Sequence, residues 1–389
     1  MPVINRIAEF HPEITAWRRH LHQNPELLYE THKTASFVAA KLREFGCDEV
    51  VEGIGRTGVV GLIRGRANGS GRVLGLRSDM DALPITERRD IAHKSQNPGV
   101  MHACGHDGHS AMLLGAAKYL AETRNFDGAV AVIFQPAEEG GAGGKAMVDD
   151  GMMERFGIEE VYGMHNWPGM PEGQLMMRKG PTMAAADQFD ITITGRGAHA
   201  ARPHEGFDPI VAGSQMVLAL QQLVSRNADP VEALVVSVTR FEAGTAYNII
   251  PEEVRLAGTV RTLKTELRDM AERRMGEIVQ GIAAAHGCRA VLDYQRGYPV
   301  VINHEAQTEF SARVAAEVVG EARVLTDVPP IMGGEDFAYM LEARPGSFIF
   351  IGQGATAGVH HPDYDFNDEI IPVGASYWVK LAEMAMPVR

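Results

Sequence analysis

A chain of 389 residues that is 45% hydrophobic and 22% charged has the composition of a globular protein, long enough for about two or three domains. A net charge of −13, with no Lys/Arg run longer than a dipeptide such as Arg18-Arg19 or Arg273-Arg274, excludes a phosphate backbone as partner, so nucleic acid is not expected to bind. No stretch approaches the roughly 18 consecutive apolar residues of a membrane span, Met1–Trp17 is interrupted by Asn5, Arg6, Glu9, His11 and Glu13 where a signal peptide would be apolar, and Cys47, Cys104 and Cys288 are too few for a disulfide framework, so the expected setting is the cytoplasm, away from membranes.

In chain order, Ala35, Val38, Ala39, Leu42 and Phe45 recur at helical spacing and predict a helix over 31–45, stopped by Gly46. Val59–Ile63 and Val73–Leu76 read as short strands, and the turn-rich Asn68-Gly69-Ser70-Gly71 between them resembles hairpin punctuation. A helix is expected over Ser110–Ala121, then a strand over Ala129–Phe134. Strands alternating with helices imply a buried, largely parallel sheet.

The pattern changes near Asp187. From there the chain reads strand (189–194), helix (208–224), strand (233–241), strand (253–261), helix (266–286) and strand (289–294). This β-α-β-β-α-β order matches a ferredoxin-like unit of about a hundred residues inserted into the larger domain. Beyond Tyr298 the α/β pattern resumes with helices around 305–320 and 336–342, a strand over 347–351 and a last helix over 374–385. The expected fold class is therefore α/β, with a discontinuous domain of residues 1–186 and 298–389, a mixed and largely parallel sheet flanked by helices, and an inserted α+β domain over 187–297.

The chemistry concentrates in four loops. Met101-His102-Ala103-Cys104-Gly105-His106-Asp107-Gly108-His109 packs three histidines, a cysteine and an aspartate together, and Cys104 and His106 can turn toward one cation across Gly105. Glu138-Glu139 follow the strand that ends in Phe134 and precede a glycine-rich turn. One such carboxylate can coordinate a cation while its neighbour takes a proton and later hands it to a leaving amine. His165 ends an apolar run, and His360-His361-Pro362 repeats the theme. A lone histidine in such a place is usually a satisfied loop residue, but four loops of one chemical character at strand ends change that reading. Cys104, His106, Glu139, His165 and His361 give ligands enough for two cations about 3.5 to 4 Å apart. Asp79 and Asp81 share one face of a strand end, where a carboxylate can accept the distal N–H of a ligating histidine.

Eight motifs in order then carry a resemblance: Asp79-Met80-Asp81-Ala82-Leu83-Pro84, Cys104-Gly105-His106-Asp107-Gly108-His109, Gln135-Pro136-Ala137-Glu138-Glu139, Gly163-Met164-His165, Gly195-Arg196-Gly197-Ala198-His199-Ala200, Asn248-Ile249-Ile250-Pro251, Gly333-Gly334-Glu335-Asp336-Phe337 and His360-His361-Pro362. From about Trp17 to the C-terminus the chain resembles the M20 family of metallopeptidases, and within it the amidohydrolase subfamily of hippurate hydrolase, indole-acetyl-amino-acid hydrolases and N-acetyl-diaminopimelate deacetylase. The resemblance implies a zinc-peptidase-like catalytic domain with two divalent metal ions (Mn2+, Zn2+, Co2+ or Ni2+) on Cys104, His106, Glu139, His165 and His361. It makes Glu138 the general base and gives Asp81 the task of orienting a ligand. The wider family usually carries a ligating histidine where Asp79 stands and a bridging aspartate near Cys104, so this chain follows the subfamily's thiolate pattern.

The same resemblance gives the insert the part of a lid and dimerisation domain. His199 would stabilise an oxyanion, in its own subunit's site or a neighbour's, Asn248 and Arg261 would hold the substrate, and Gly333 and Gly334 would let backbone approach it. The implied reaction is hydrolysis of a small N-acyl amino acid by a homodimer or homotetramer. A dipeptidase or aminopeptidase on the same scaffold would need an additional acid for a free α-amino group, and none is clearly placed. A non-catalytic relative would be expected to have lost the base or a ligand, and all are present.

Overall fold

The computed structural model describes residues Val3–Val388. In chain order they form α1 (Asn5–Gln23), α2 (His32–Glu44), β1 (Glu49–Ile54), β2 (Gly58–Arg64), β3 (Val73–Asp79), α3 (His106–Thr123), β4 (Ala129–Gln135), β5 (Glu160–Pro168) and β6 (Leu175–Met176). There follow β7 (Ala185–Thr194), α4 (Pro209–Leu220), β8 (Leu234–Ala243), β9 (Glu253–Thr262), α5 (Thr265–Ala285) and β10 (Arg289–Tyr298), and then α6 (Glu305–Val319), β11 (Val324–Leu325), β12 (Gly346–Gly354) and α7 (Ile371–Ala385). Shorter helical turns join some of these.

The larger of two compact units takes the chain up to Thr182, Ile302–Pro329 and everything from Asp336. Its sheet has the order β1-β2-β4-β3-β5-β12-β6-β11. The central four strands run parallel, while β1 and β2 are antiparallel. All seven residues of β4 are buried, as a strand covered on both faces must be, which explains its unbroken apolar run. The expected hairpin across Asn68–Gly71 is corrected: β2 and β3 are not neighbours, because β4 lies between them, antiparallel to one and parallel to the other. Helix α3 starts four residues earlier than predicted, at His106. It is apolar on every side from Ala111 to Ala117, packs against α1, α7 and the sheet, and so is a core helix rather than an amphipathic one.

The smaller unit comprises Met183–Val301 together with Pro330–Glu335. The last six residues were assigned to the larger domain from sequence. They belong here because Met183 bridges to Ile331 and the Ala184 N–H reaches the Gly333 carbonyl at 2.9 Å, stitching the returning segment to the start of β7. Four antiparallel strands in the order β8-β9-β7-β10 form its sheet, the order a split β-α-β unit produces. Phe189, Ile191 and Ile193 of β7 alternate inward against α4 and α5. Among the described residues no helix is long and apolar enough to cross a membrane.

Candidate metal centre

The carboxyl ends of the parallel strands in the larger unit carry the polar loops, the edge at which open α/β sheets place their sites. β3 ends at Asp79 and runs into Asp81, β4 runs into Glu138-Glu139, β5 bears His165, and Cys104 sits just before α3. Gly105 makes the last arrangement possible. Its φ is +95°, and a Cβ there would lie 2.2 Å from Asn166 Oδ1 and 2.6 Å from the Tyr364 hydroxyl. Only glycine fits, and it lets Cys104 and His106 turn to one point from either side.

Two triads result. Ligand atoms of Cys104, His106 and His165 lie within 4.8 Å of one another, as do those of Cys104, Glu139 and His360, so the thiol is common to both. Each buried imidazole has its Nδ1–H committed to a backbone carbonyl, His106 to Asp81 O at 2.8 Å and His165 to Asn166 O at 2.6 Å. Both Nε2 atoms are thereby left to ligate. His165 Nε2 lies 3.3 Å from Cys104 Sγ, and His106 Nε2 is buried without a hydrogen-bond partner among the described residues. A buried orphan nitrogen facing carboxylates and a thiol is what a cation would satisfy.

The electrostatics agree. Burial opposes a proton on His106, yet Asp79, Asp81 and Glu139 around it push its pKa up to about 10. Burial, followed by the charges of Glu139, Glu138 and Asp79, pushes the Cys104 thiol well above its usual range. Protons are held where positive charge is wanted, and a divalent ion would displace both and keep the thiolate ionised. The residues present therefore fit divalent metals.

Around the triads the carboxylates divide the work. Asp81 is 1% exposed, and its two oxygens accept the backbone N–H groups of Glu138 at 2.9 Å and Glu139 at 3.1 Å. Its carboxylate thus holds the turn that carries both glutamates, while its backbone carbonyl orients His106. One of the same carboxylate oxygens also lies 3.5 Å from His106 Nδ1. Asp79 is paired with Arg77 Nη1 at 2.9 Å and accepts His109 Nδ1–H at 2.7 Å. Burial would raise its carboxyl, but His106, His109 and Arg77 hold it well below the usual range. Glu138 is 7% exposed, with Oε2 at 4.0 Å from His106 Nε2.

The metal-type groupings among the described residues include His360 and not the expected His361. His361 is half exposed, and its Nδ1 accepts the Asp363 N–H at 3.1 Å, away from the triads. His360 is also about half exposed, yet its Nε2 lies 3.4 Å from Glu139 Oε1 and its N–H bonds to Ala103 O at 2.7 Å. Its φ is +62°, in the left-handed region. His361 precedes Pro362 and is biased to extended backbone, but nothing in the string of letters announced a left-handed histidine before it. Asn166, Gln353 and Tyr364, which tie His109 into the site, also went unread because each lies on a different element and carries no metal-type signal.

In the smaller unit, the Ala198–His199 and Ile249–Ile250 pairs form a two-stranded ladder, with the Ala200 N–H on Asn248 O at 2.9 Å, so His199 and Asn248 are brought side by side. His199 Nδ1 accepts the Ala201 N–H at 3.1 Å, which leaves Nε2 as an exposed N–H donor. The Arg261 side chain is half-buried and makes no hydrogen bond or ion pair among the described residues, since Asp187 is taken by Arg268. Gly334 gives it room, as a Cβ there would meet Arg261 Nη1 at 3.3 Å and Ala186 Cβ at 2.9 Å. Gly333 contributes its carbonyl to Ala184.

Comparison with known proteins places these observations in a family. Peptidase family M20/M25/M40 matches over residues 75–384. The chain is 41% identical to the hippurate hydrolase of Campylobacter jejuni, covering 98% of this chain and 99% of that protein. It is 40% identical to the N-acetyl-L-cysteine deacetylase of Bacillus subtilis, covering 96% and 88%. The crystal structure of the Bacillus subtilis YXEP protein, a dinuclear metal-binding peptidase of the M20 family, superposes with a TM-score of 0.85 at 34% identity, covering 97% of this chain and 99% of that one. The chain belongs to the M20 peptidase family, on its amidohydrolase branch, and is a metal-dependent hydrolase.

Proposed function

We propose that this chain hydrolyses the amide bond of small N-acyl-L-amino acids, hippurate-like N-benzoyl or N-acetyl compounds, releasing a carboxylic acid and a free amino acid. One observation carries the reading: two cation-ready triads share Cys104, and the buried Glu138 is held beside them by Asp81. Bound divalent ions, Mn2+, Zn2+, Co2+ or Ni2+, would polarise the amide carbonyl and lower the pKa of water. Glu138 takes the proton from the attacking water and delivers it to the leaving nitrogen. His199, with Asn248 at its side, would offer its Nε2–H to the oxyanion in its own or a neighbouring subunit's site, and Arg261, at the other end of β9, would grip the α-carboxylate by two hydrogen bonds. Gly333 and Gly334 keep the approach to Arg261 open. The names of the relatives at about 40% identity support the acyl-amino-acid class.

The insert is also the proposed contact of a homodimer or homotetramer. Leu218 at 74% exposure, with Val211 and Phe241 also exposed, supports that. The test of function is to strip the protein of metal and reload it separately with manganese, zinc, cobalt and nickel. Each form is then assayed on N-benzoyl, N-acetyl and indole-acetyl amino acids of both chiralities. Turnover of L-configured N-acyl amino acids is expected, abolished in Glu138→Ala with metal content retained. Near wild-type turnover by that variant would overturn the role given to Glu138, and inactivity on the whole panel would overturn the substrate class.

A further inference from the structure

We propose that Arg18 is a positioning residue that sets the two triads relative to each other, a role that rests on the metal-ligand reading above. Arg18 comes from α1, is 1% exposed, and sits between two ligand-bearing segments. Its Nε donates to Asp368 Oδ1 at 2.7 Å and its Nη1 to Asp365 Oδ1 at 3.0 Å, and Nη1 also lies 3.6 Å from Asp107 Oδ2. Asp107 directly follows His106 in the first turn of α3. Asp365 and Asp368 follow His360 by five and eight residues on one loop, just ahead of α7. One guanidinium therefore reaches both the segment that supplies Cys104 and His106 and the segment that supplies His360.

The surrounding groups complete a closed network. His22, also from α1 and fully buried, places Nδ1 at 2.8 Å from Asp107 Oδ2 and Nε2 at 3.3 Å from Glu87 Oε1. The other oxygen of Glu87 accepts the Ser95 N–H at 2.7 Å, and Asp365 is shared with His93 at 3.1 Å and Arg89 at 3.2 Å. Stability alone does not account for such an arrangement, since desolvation of buried charges offsets much of their attraction and apolar side chains of equal volume often serve as well. What a planar fork adds is fixed geometry. Its donors bond two carboxylates in set directions while its charge faces the third at 3.6 Å, which a lysine point charge cannot reproduce.

The test uses Co2+ as the probe, because thiolate-to-cobalt and d–d absorption bands report ligand geometry without turnover. Metal-free wild type, Arg18→Lys, Asp368→Asn and His360→Ala are titrated with Co2+, and affinities are taken from the same titrations. Arg18→Lys should weaken binding by ~10- to 100-fold, the range for residues that orient ligands, and shift the d–d bands. Unchanged affinity and unchanged bands would overturn the proposal, even with a lowered melting temperature. If Arg18→Lys does not fold, Asp368→Asn, which removes a single arm, should change the bands in the same direction, and silence there overturns it equally. Should His360→Ala bind Co2+ like wild type, the ligand assignment itself falls and takes the brace with it. If His360→Ala loses cobalt while Arg18→Lys keeps it, only the brace falls.

Discussion

Asp81→Asn isolates what a single buried carboxylate does for catalysis. In the native protein the two oxygens of Asp81 each accept a backbone N–H, from Glu138 at 2.9 Å and Glu139 at 3.1 Å. An amide keeps one acceptor and turns an NH2 toward the other N–H. The substitution removes one charge-assisted hydrogen bond, worth about 1.5–3 kcal/mol, and leaves a buried donor facing a donor, which costs about 1–3 kcal/mol. The turn relieves the conflict by rotating one glutamate out of place, so roughly 2.5–6 kcal/mol separates the strained productive geometry from the relaxed one. At about 1.4 kcal/mol per decade, kcat should fall by between about 60-fold and about 20,000-fold. His106 is held by the Asp81 backbone carbonyl, which the substitution leaves alone, so metal bound through His106 and His165 should be retained. The assay is steady-state turnover of an N-acyl amino acid beside metal content by elemental analysis. A kcat within threefold of wild type would refute the clamp, and loss of all metal would mean that the carboxylate serves ligation instead.

Three further outcomes follow from the geometry. His360→Ala should lose metal and activity while His361→Ala keeps both within a few-fold, and elemental analysis showing the reverse would return the ligand role to His361. Metal loading near pH 7.5 should release about two protons per site, one from His106, pushed up to about 10, and one from the Cys104 thiol. Calorimetry in buffers of different ionisation enthalpy reads that number, and a value near zero would contradict the electrostatic account. Finally, burial opposes a proton on His22, but its bonds to Asp107 and Glu87 raise its pKa to about 9. Its contribution to stability is thus fully present below the unfolded value of about 6.5 and disappears as pH rises through the folded value, amounting to about 3 kcal/mol. Urea unfolding of the metal-loaded protein should weaken between pH 6.5 and 10 by up to that amount, and His22→Gln should flatten the change. Parallel curves for the two proteins would count against it.

Local chemistry made much of this legible before any coordinates. The apolar run of β4 could only be a strand covered on both faces, and the alternation of β7 could only be half-buried. Cys104, His106, Glu139 and His165 announced themselves by ligand type at strand ends, a signal that survives without knowing the sheet order. What stayed hidden depends on non-local geometry. That β4 slips between β2 and β3 is decided by how the α3 crossover packs, and the choice of His360 over its neighbour is decided by one positive φ. Arg18 shows the limit most clearly. In the sequence it is half of a basic dipeptide with no motif around it, whereas in the fold it is enclosed by carboxylates from α3 and from the segment before α7, both distant in the chain.

The end of β3 is turned toward the site through Asp79. Here that position holds a carboxylate that Arg77 and His109 occupy, and its nearer oxygen stands 3.7 Å from His106 Nε2. Asp79 therefore acts on the site through its charge and through His109, which it anchors beside Asn166. Arg77 is in turn bound to Gln135 at 2.9 Å and Asp336 at 3.1 Å, so the end of β3 and the end of β4 are locked through one guanidinium. Two arginines thus brace the centre from behind. Arg77 locks the strand ends and Arg18 spans the helix and the last loop, so that the short, strained turns bearing Cys104, Glu139 and His360 need only carry ligands, with their placement set by buried charge pairs one layer away.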